Sequence, residues 1–348
     1  MSVKLHSGDT IILAGDIGGT NTNLAAVIKH GGAFSITAKS SRDSKSVTDF
    51  VQVVKEVLAE FDLPAPPRYC CISAAGIVEQ NRCQPTNLSW VIDGDKLQQD
   101  MGIPTVIIND FMALSYSLPL LDVNNPKEIL PLPHPDGSVP EPRGGIYAII
   151  GAGTGLGVGV LSRVEGRYVA FPSEGGHTDF PAFDRETQRL GNFLKTRYDS
   201  WPGTECVLSG RGIANIYAYV RDTMAGPGDD ILQEIDSLPE TERPALISLH
   251  GCTNPVCSRV MELFTRIYGK FAGNTALNFL PEAGLFLAGG IAQKNIDFLL
   301  HEQRFMRYFE SNYNLKMRTL QQRVPVFLIK EYSVSLLGAA HAATLLLD

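Results

Sequence analysis

Two glycine-containing segments with the same plan constrain the fold of this 348-residue chain most strongly. Each has an apolar run of strand length, a turn with glycine and threonine, and a second apolar run: LAGDIGGTNTNLAAVI at 13–28 and IIGAGTGLGVGVL at 149–161. A third glycine pair, Gly289-Gly290, separates an apolar run at 283–288 from a helical pattern at 292–299. A strand–turn–strand unit that occurs twice predicts two similar α/β lobes facing each other.

The rest of the chain alternates between strand and helix patterns, which supports the α/β class. The spacing of apolar residues predicts further strands at 69–74, 105–108 and 324–329, and helices at 47–61, 111–118, 186–198, 210–222, 228–236, 241–249, 255–279 and 334–346. The proline-rich segment 122–143 predicts a surface excursion with one short strand near 128–130. The uncharged segment 144–162 is interpreted as two buried strands, because GAGTG would place a turn at the centre of any membrane span.

Composition excludes several functional classes. The net charge of −7, without runs of Lys or Arg, argues against nucleic acid as a partner. The six cysteines match no zinc-binding spacing and predict reduced, mostly buried thiols. Met1 to Thr10 has no basic segment followed by an apolar one, so we expect no secretion and no membrane partner, and a cytoplasmic location.

The two glycine turns predict phosphate binding. Backbone N–H groups can converge on an anion where no Cβ blocks its approach, and Thr20 and Thr154 add hydroxyl donors. Two facing turns would hold a polyphosphate from both sides, whereas either turn alone could be a tight hairpin. The turns match neither a Walker loop nor a dinucleotide-binding fingerprint. Asp16 precedes the first turn and could face Mg²⁺ or its waters, or close an Asx turn.

Three further groups of polar residues are candidates for the reaction. Asn109-Asp110 follows a predicted strand and opens a helix, so these residues could cap the helix or place a carboxylate that accepts a proton from a hydroxyl. Glu174 and His177 flank a Gly-Gly turn, and Glu205 precedes a helix. Such acceptors could bind several sugar hydroxyls; Glu174 and His177 could instead be metal ligands.

Eight motifs together resemble the bacterial-type ATP-dependent glucokinase family, within the hexokinase/actin/heat-shock-protein ATPase superfamily. In chain order they are GDIGGTN (15–21), TNLSW (86–90), IINDF (107–111), GAGTGLG (151–157), EGGH (174–177), ECVLSG (205–210), LAGGI (287–291) and LLGAAH (336–341). One such motif would be weak, but eight in register over nearly the whole chain are specific.

The resemblance implies an α/β, two-lobed actin-like ATPase (ribonuclease H-like) fold with a cleft between a small and a large domain. The small α/β domain would comprise 1–111 plus 331–348, and the large α+β domain 112–330. The family members are homodimers that use ATP with Mg²⁺ and transfer the γ-phosphoryl to the 6-hydroxyl of glucose. The implied product is glucose 6-phosphate, made in the first step of glycolysis.

The resemblance also assigns roles to the candidate residues. Asp110 would be the general base and would bind the sugar together with Asn109, Glu174, His177 and Glu205. The groups around the nucleotide would be Asp16, Gly18, Gly19, Thr20 and Asn21 in one turn, Gly151, Gly153, Thr154 and Gly155 in the other, and Gly289 and Gly290 against the adenosine.

Two alternatives remain open at this stage. One is a kinase on the same fold for another hexose or another phosphoryl donor; the other is a catalytically silent sugar sensor, against which the presence of Asp110 argues. The neighbouring repressor/open-reading-frame/kinase (ROK) family binds zinc through a similar histidine and a cysteine cluster. Because only Cys206, Cys252 and Cys257 follow His177, without that cluster, we expect no structural zinc and no direct metal site in the protein.

Overall fold

The structure, a computed structural model, describes four stretches of the chain: residues 5–86, 88–224, 229–331 and 333–348. Parts of three predictions lie outside the described residues: the start of the N-terminal segment (1–4), one position of the TNLSW motif (Asn87) and the first residue of the helix expected at 228–236 (Gly228).

The strands follow the apolar runs of the sequence. They are β1 (Thr10–Ile17), β2 (Asn21–His30), β3 (Ala33–Asp43), β4 (Tyr69–Ala74), β5 (Val78–Glu79), β6 (Arg82–Cys83), β7 (Ile92–Asp93), β8 (Thr105–Asn109), β9 (Ile129–Pro131), β10 (Ile146–Ala152), β11 (Leu156–Val164), β12 (Arg167–Phe171), β13 (Gly284–Ala288) and β14 (Val326–Ile329). The segment 144–162 therefore forms strands, as predicted. Among the described residues, no helix is both long and apolar enough to cross a bilayer.

The helices follow the segments with helical apolar spacing. They are α1 (Phe50–Phe61), α2 (Gly94–Met101), α3 (Asp110–Ser117), α4 (Arg185–Tyr198), α5 (Gly210–Thr223), α6 (Asp230–Ser237), α7 (Arg243–Leu249), α8 (Pro255–Phe279), α9 (Gly290–Lys294), α10 (Ile296–Leu300), α11 (Arg304–Phe309), α12 (Leu315–Gln321) and α13 (Val334–Leu346). Short 3-10 turns lie at Ser44–Ser46, Leu118–Leu120, Gly175–His177, Thr204–Cys206 and His301–Gln303.

Of the two larger sheets, the second repeats the strand order of the first in its first five strands, and β9 adds a sixth strand, antiparallel to β14. The first has the strand order β3-β2-β1-β4-β8, in which β1 pairs antiparallel with β2 and parallel with β4, and β4 pairs parallel with β8. The second has the order β12-β11-β10-β13-β14-β9, with β10, β13 and β14 parallel to one another. In both sheets a glycine turn joins the first parallel strand to its hairpin partner, so the repeated sequence plan is a repeated sheet plan.

The described residues form two compact units. One contains the residues up to Asp122 together with Leu161–Pro172 and those from Glu331 onward, and the other contains Val123–Val160 and Ser173–Lys330. Each unit has its own apolar core: side chains of β1, β4, α1 and α2 pack in the first, and those of β10, β13, α5 and α8 in the second. The functional domains predicted from the motifs, 1–111 plus 331–348 and 112–330, stay a prediction.

Helices α2, α11 and α12 and the short strands β5, β6 and β7 were not predicted from the sequence. Three further differences have a physical reason. The helix expected at 292–299 is interrupted at Asn295, whose φ and ψ are not helical and whose amide donates to the carbonyl of Ile291 at 2.8 Å. Strands β3 and β12 were not predicted, because their residues are mostly polar or exposed, as edge strands often are. The helix expected from 47 begins only at Phe50, where the Asp49 side chain accepts the backbone N–H groups of the first turn.

Candidate active site

The first glycine turn links β1 to β2 in the first unit. The N–H of Gly18 donates to the carbonyl of Asn21 at 2.9 Å, which closes a tight hairpin. The buried Ser44 supports the turn from outside: its Oγ donates to the carbonyl of Gly18 at 2.8 Å, and its N–H donates to that of Thr20 at 2.9 Å. Gly19 lies in the same turn, and the side chains of Thr20 and Asn21 are exposed. The turn is thus a hairpin whose outer side is accessible to an anion.

Asp16 lies inside strand β1, just before this turn. Its Oδ2 accepts a hydrogen bond from the hydroxyl of Ser335 at 2.8 Å. Burial raises the pKa of the Asp16 carboxyl, while the Ser335 hydrogen bond and the charge of Lys39 act in the opposite direction. On the adjacent strand β4, Ser73 is the register partner of Asp16, and its buried hydroxyl has no hydrogen-bond partner among the described residues. Asp16 therefore combines desolvation with fixed orientation.

Asn109 and Asp110 lie where β8 ends and α3 begins. Asn109 is the N-cap of α3: its Oδ1 accepts the N–H of Phe111 at 2.8 Å, and its Nδ2 donates to the carbonyl of Gly76 at 3.0 Å. The Asp110 carboxylate also accepts the N–H of Phe111, at 3.0 Å. Capping is thus the geometry observed for Asn109. Asp110 is the first residue of α3.

The first turn and Asp110 lie at the same edge of the first sheet. Ile17 of β1 pairs with Ala74 of β4, which in turn pairs with Asn109 of β8. Since neighbouring strands are about 4.8 Å apart, Ile17 and Asn109 are separated by roughly 10 Å across the carboxyl edge of three parallel strands. Gly18 and Asp110 directly follow these residues in sequence, so the fold brings the first glycine turn and the candidate base to one edge.

The second glycine turn links β10 to β11 in the second unit. The N–H of Gly153 donates to the carbonyl of Gly155 at 2.9 Å, and the carbonyl of Gly153 accepts the N–H of Gly210 at 2.8 Å. Thr154 is exposed at the tip of this turn. Gly151 differs from the other predicted turn residues, because it lies within strand β10 and pairs with Ala288 of β13. Because Gly210 is the first residue of α5, its hydrogen bond to Gly153 places the start of this helix directly against the turn.

Gly289 and Gly290 lie beside this second turn. Gly289 follows β13 and has a φ of +90°, and Gly290 is the first residue of α9. A Cβ at Gly289 would overlap the carbonyl of Ala152, the last residue of β10. Only glycine therefore allows the backbone after β13 to approach the end of β10 so closely.

Leu156, the first residue of β11, connects the remaining candidates. Its N–H donates to Oε2 of Glu205 at 3.1 Å. Its carbonyl lies so close to Gly176 that a Cβ there would overlap it, and Gly176 is the centre of the turn between Glu174 and His177. The carboxylate of Glu174 and the ring of His177 are both exposed, with Oε2 and Nε2 3.9 Å apart. The second unit therefore gathers three of the five predicted sugar-binding residues, Glu174, His177 and Glu205, near its glycine turn.

Glu205 is fixed by two contacts that the sequence did not indicate. Besides the Leu156 bond, its Oε1 forms an ion pair with Nη2 of Arg211 at 2.6 Å. A Cβ at Gly155 would come within 2.7 Å of Oε2, so the carboxylate lies directly against the turn. Arg211 itself is about half exposed, in the first turn of α5.

Ser44, Ser335 and Arg211 are the supporting residues that sequence reasoning missed. Ser44 and Ser335 contact residues far away in the chain, whereas Arg211 contacts Glu205 six positions before it; none belongs to a recognisable spacing. As for metals, no group of three or more His, Cys, Asp or Glu side chains that could hold an ion was found in the part of the chain that the structure describes. Cys70, Cys71, Cys83 and Cys257 are buried free thiols, Cys206 is half-buried and Cys252 is exposed.

Comparison with known proteins places this geometry in a family. A family model described as Glucokinase matches residues 13–346. A curated glucokinase from Nostoc sp. is 35% identical over 349 residues, which cover 96% of this chain and 99% of the relative. A crystal structure of glucokinase from an Antarctic psychrotroph superimposes with a TM-score of 0.82 at 26% identity, and the match covers 96% of this chain and 98% of that one.

A more distant structure shares the fold alone. The ROK family glucokinase from Streptomyces griseus, solved in complex with glucose and AMPPNP, has a TM-score of 0.62 at 18% identity, with 96% of this chain and 99% of that chain covered. The predicted α/β, two-lobed actin-like fold is confirmed by these likenesses, and so is the family predicted from the eight motifs. The chain belongs to the glucokinase family.

Proposed function

We propose that this protein transfers the γ-phosphoryl group of ATP to the 6-hydroxyl of glucose, giving ADP and glucose 6-phosphate. The proposal is supported by the family match over 13–346 and by a structural neighbour that binds glucose together with an ATP analogue. The observation that carries it is the position of Asp110 at the sheet edge that also bears the first glycine turn. Phosphoryl transfer needs a carboxylate that orients the attacking hydroxyl near the bound phosphates, whereas a sugar sensor needs no base.

The glycine turns would bind the phosphates. In the first turn, Gly18 and Gly19 offer backbone close to the ligand, and Thr20 and Asn21 add exposed polar side chains. In the second unit, Gly153, Thr154 and Gly155 would do the same, Gly151 would hold the strand that leads into the turn, and Gly289 and Gly290 would lie against the adenosine. That residues of both units serve one nucleotide stays a prediction of the sequence.

Asp110 would act as the base in the transfer itself. The oxygen of the 6-hydroxyl forms a bond to the γ-phosphorus, the bond between this phosphorus and the β–γ bridging oxygen breaks, and ADP leaves with that electron pair. The hydroxyl proton passes to Asp110. Because a carboxylate is a much weaker base than an alkoxide, Asp110 would orient the hydroxyl early and accept the proton late.

Asn109, Glu174, His177 and Glu205 would bind the other sugar hydroxyls. Exposed Glu174 and His177 are accessible to a ligand, whereas Glu205 is already oriented by Arg211 and the backbone of Leu156. A pre-oriented carboxylate loses little conformational entropy on binding, so Glu205 suits a position-specific hydrogen bond.

Mg²⁺ would enter with the nucleotide and neutralise charge on the transferred phosphoryl group. It prefers oxygen ligands and keeps several of its waters. Such waters need acceptors, which the desolvated Asp16 carboxylate can supply. Ser73 lies in register beside Asp16, and the Ser73 hydroxyl has no hydrogen-bond partner among the described residues. The ion would be held by the substrate and these groups, without a dedicated protein cage.

The test is a coupled assay for glucose 6-phosphate with ATP and Mg²⁺, with mannose, fructose and N-acetylglucosamine run alongside glucose. For Asp110→Asn we expect kcat on glucose to fall by roughly 10²–10⁴-fold, because the loss of a positioned base has that cost. Binding of ATP, measured by calorimetry, should be retained because the phosphate turns are intact.

Asp100→Asn is the matched control, since Asp100 is exposed on α2 in the same unit and should leave kcat unchanged. Near-normal turnover of Asp110→Asn would remove Asp110 as the base. Faster turnover of another hexose would replace glucose as the proposed substrate. No turnover of any of the sugars, with ATP still bound, would favour another phosphoryl donor or a sugar sensor.

We propose in addition a cytoplasmic homodimer, which sedimentation of the purified protein and fractionation of cells would test.

A further inference from the structure

A cavity of about 450 Å³ lies in the first unit, away from the phosphate turn. Its walls come from the tip of the β2–β3 hairpin, the start of β12 and the end of α13, and include Lys29, Phe34, Arg167, His341 and Asp348. We call it the hairpin cavity. Strand β2 is ten residues long and runs from the first glycine turn to this hairpin, a distance of roughly 30 Å along the strand. The hairpin cavity is therefore a separate site from the one described above.

His341 provides a fixed hydrogen-bond acceptor in this cavity. Its Nδ1 lies 2.7 Å from the carbonyl oxygen of Tyr116, which can only accept, so Nδ1 carries the proton. The other ring nitrogen, Nε2, then bears a lone pair in the neutral ring and has no hydrogen-bond partner among the described residues. His341 is only 8% exposed, and its ring is enclosed by Phe34, Tyr116 and Tyr168 at centroid distances of 5.3, 6.2 and 5.8 Å.

The neutral ring is also the form that its surroundings favour. Burial lowers the pKa of His341, and the nearby charge of Lys29 lowers it further, while the Tyr116 hydrogen bond acts in the opposite direction. At neutral pH the ring accepts through Nε2. Although most of the ring is buried, Nε2 itself remains accessible to solvent, so a ligand in the cavity can reach this acceptor.

The hairpin cavity also carries positive charge. Lys29 and Arg167 line it, and neither forms an ion pair with any described residue; the Lys29 ammonium lies 5.9 Å from the centre of the Phe34 ring. The one acid in the wall, Asp348, is already engaged by the hydroxyl of Tyr69 and by Arg68, whose guanidinium is 3.6 Å away. Two cations without an acid partner therefore face a site that also offers one acceptor.

We propose that the hairpin cavity is a second binding site, for a small hydroxylated anion whose charge pairs with Lys29 and Arg167 and whose hydroxyl donates to Nε2 of His341. Phosphate esters of polyols and hydroxy acids share this chemistry. An anion without a hydroxyl would leave Nε2 unsatisfied, and a neutral polyol would leave both cations unpaired. The inference does not depend on the proposed kinase reaction.

The test is titration calorimetry of the full chain with glycerol 3-phosphate and with malate, and with sulfate as the anion that lacks a donor. We expect at least one hydroxylated anion to bind at least tenfold more tightly than sulfate. In Lys29→Met/Arg167→Met that binding should weaken at least tenfold. The matched control is Lys55→Met/Lys96→Met, because Lys55 and Lys96 are exposed residues of the same unit that do not line the cavity. The control should bind as the wild type does.

Spectra of protein labelled with ¹⁵N in histidine give a second measurement. The bound anion should shift the Nε2 resonance of one neutral, Nδ1-protonated histidine, and this resonance should be missing in His341→Gln. Binding to the active site would be unaffected by the Lys29 and Arg167 substitutions and is thereby distinguished. Equal affinity in the cavity variant and the control, or no binding of either hydroxylated anion, would overturn the proposal.

Discussion

At the scale of single residues, Asp16 shows how a distant side chain prepares a functional group. Its carboxylate is desolvated in the first sheet, and the hydrogen bond from Ser335 stabilises the ionised form. Ser335 lies in the first turn of α13, so a helix more than 300 residues later in the chain stabilises the Asp16 carboxylate.

If Asp16 must be ionised to face the nucleotide's metal, activity should fall as the pH drops through the pKa of Asp16. Burial raises this pKa, so the fall should occur at a higher pH than for an ordinary carboxyl group.

Ser335→Ala should move this acidic limb further upward. Without the hydroxyl, the ionised carboxylate loses a stabilising partner, so the pKa of Asp16 rises again and more of the enzyme is protonated at mildly acidic pH. We expect kcat/KM for ATP to decline at higher pH than in the wild type, with a higher Mg²⁺ requirement. The measurement is a pH profile at fixed Mg²⁺.

Ser335→Thr retains the hydroxyl and should restore the wild-type limb, which separates the hydrogen bond from a general effect on folding. An acidic limb that is the same in Ser335→Ala and in the wild type would show that Asp16 does not control it.

At the scale of elements, helix α13 is positioned by a glycine. It packs against α3, β1 and β4, and a Cβ at Gly338 would overlap the carbonyl of Ala113 and lie 3.0 Å from the N atom of Ser117, both on α3. The close approach sets the depth of α13. The same helix carries Ser335, which contacts Asp16, and His341, which contacts the carbonyl of Tyr116.

Gly338→Ala should therefore destabilise the protein and reduce its activity together. Added atoms in a packed interior cost about 1–3 kcal/mol, and here the obstacle is backbone that cannot rotate away. Urea unfolding should show a lower midpoint with an unchanged slope, and kcat should fall because α13 also orients Asp16. Gly32→Ala is the control, since a Cβ at Gly32 has no atom within 4 Å. Equal midpoints for the two variants would show that α13 has room to move.

At the scale of the whole molecule, each compact unit has its own apolar core and its own tryptophan. Trp90 stacks on Phe50 in the first core, with their ring centroids 5.4 Å apart. In the second unit, the indole N–H of Trp201 donates to the carbonyl of Phe180 at 3.0 Å. These are the two tryptophans of the sequence, so single Trp→Phe variants leave one fluorescence reporter in each unit.

Leu97→Ala should lower the stability reported by Trp90 more than that reported by Trp201. Leu97 is almost fully buried in the first core, and truncation of such a side chain costs about 2–5 kcal/mol. We expect the urea midpoint to shift strongly in the Trp201→Phe background and by less than half as much in the Trp90→Phe background. Equal shifts would mean that the cores unfold as one cooperative unit. Leu208→Ala, in the second core, should give the reverse pattern.

Much of the fold could be predicted from local pattern. Hairpins around the two glycine turns, the long helix α8 and the C-terminal α13 were all confirmed, because long apolar runs and helical spacing are strong signals. Edge strand β3 carries no such signal, since few of its residues are buried. The break at Asn295, whose side chain also accepts a hydrogen bond from the distant Ser248, was not predicted from the apolar spacing.

The sequence by itself determined the α/β class, the family, and the positions of the glycine turns and of most helices. These depend on short spacings, on glycine where the backbone must approach closely, and on apolar periodicity, all of which are local properties of the chain. Only the tertiary structure decided which polar side chains meet. The Ser335 bond to Asp16 and the His341 bond to the carbonyl of Tyr116 each join residues more than 200 positions apart, which no local spacing encodes.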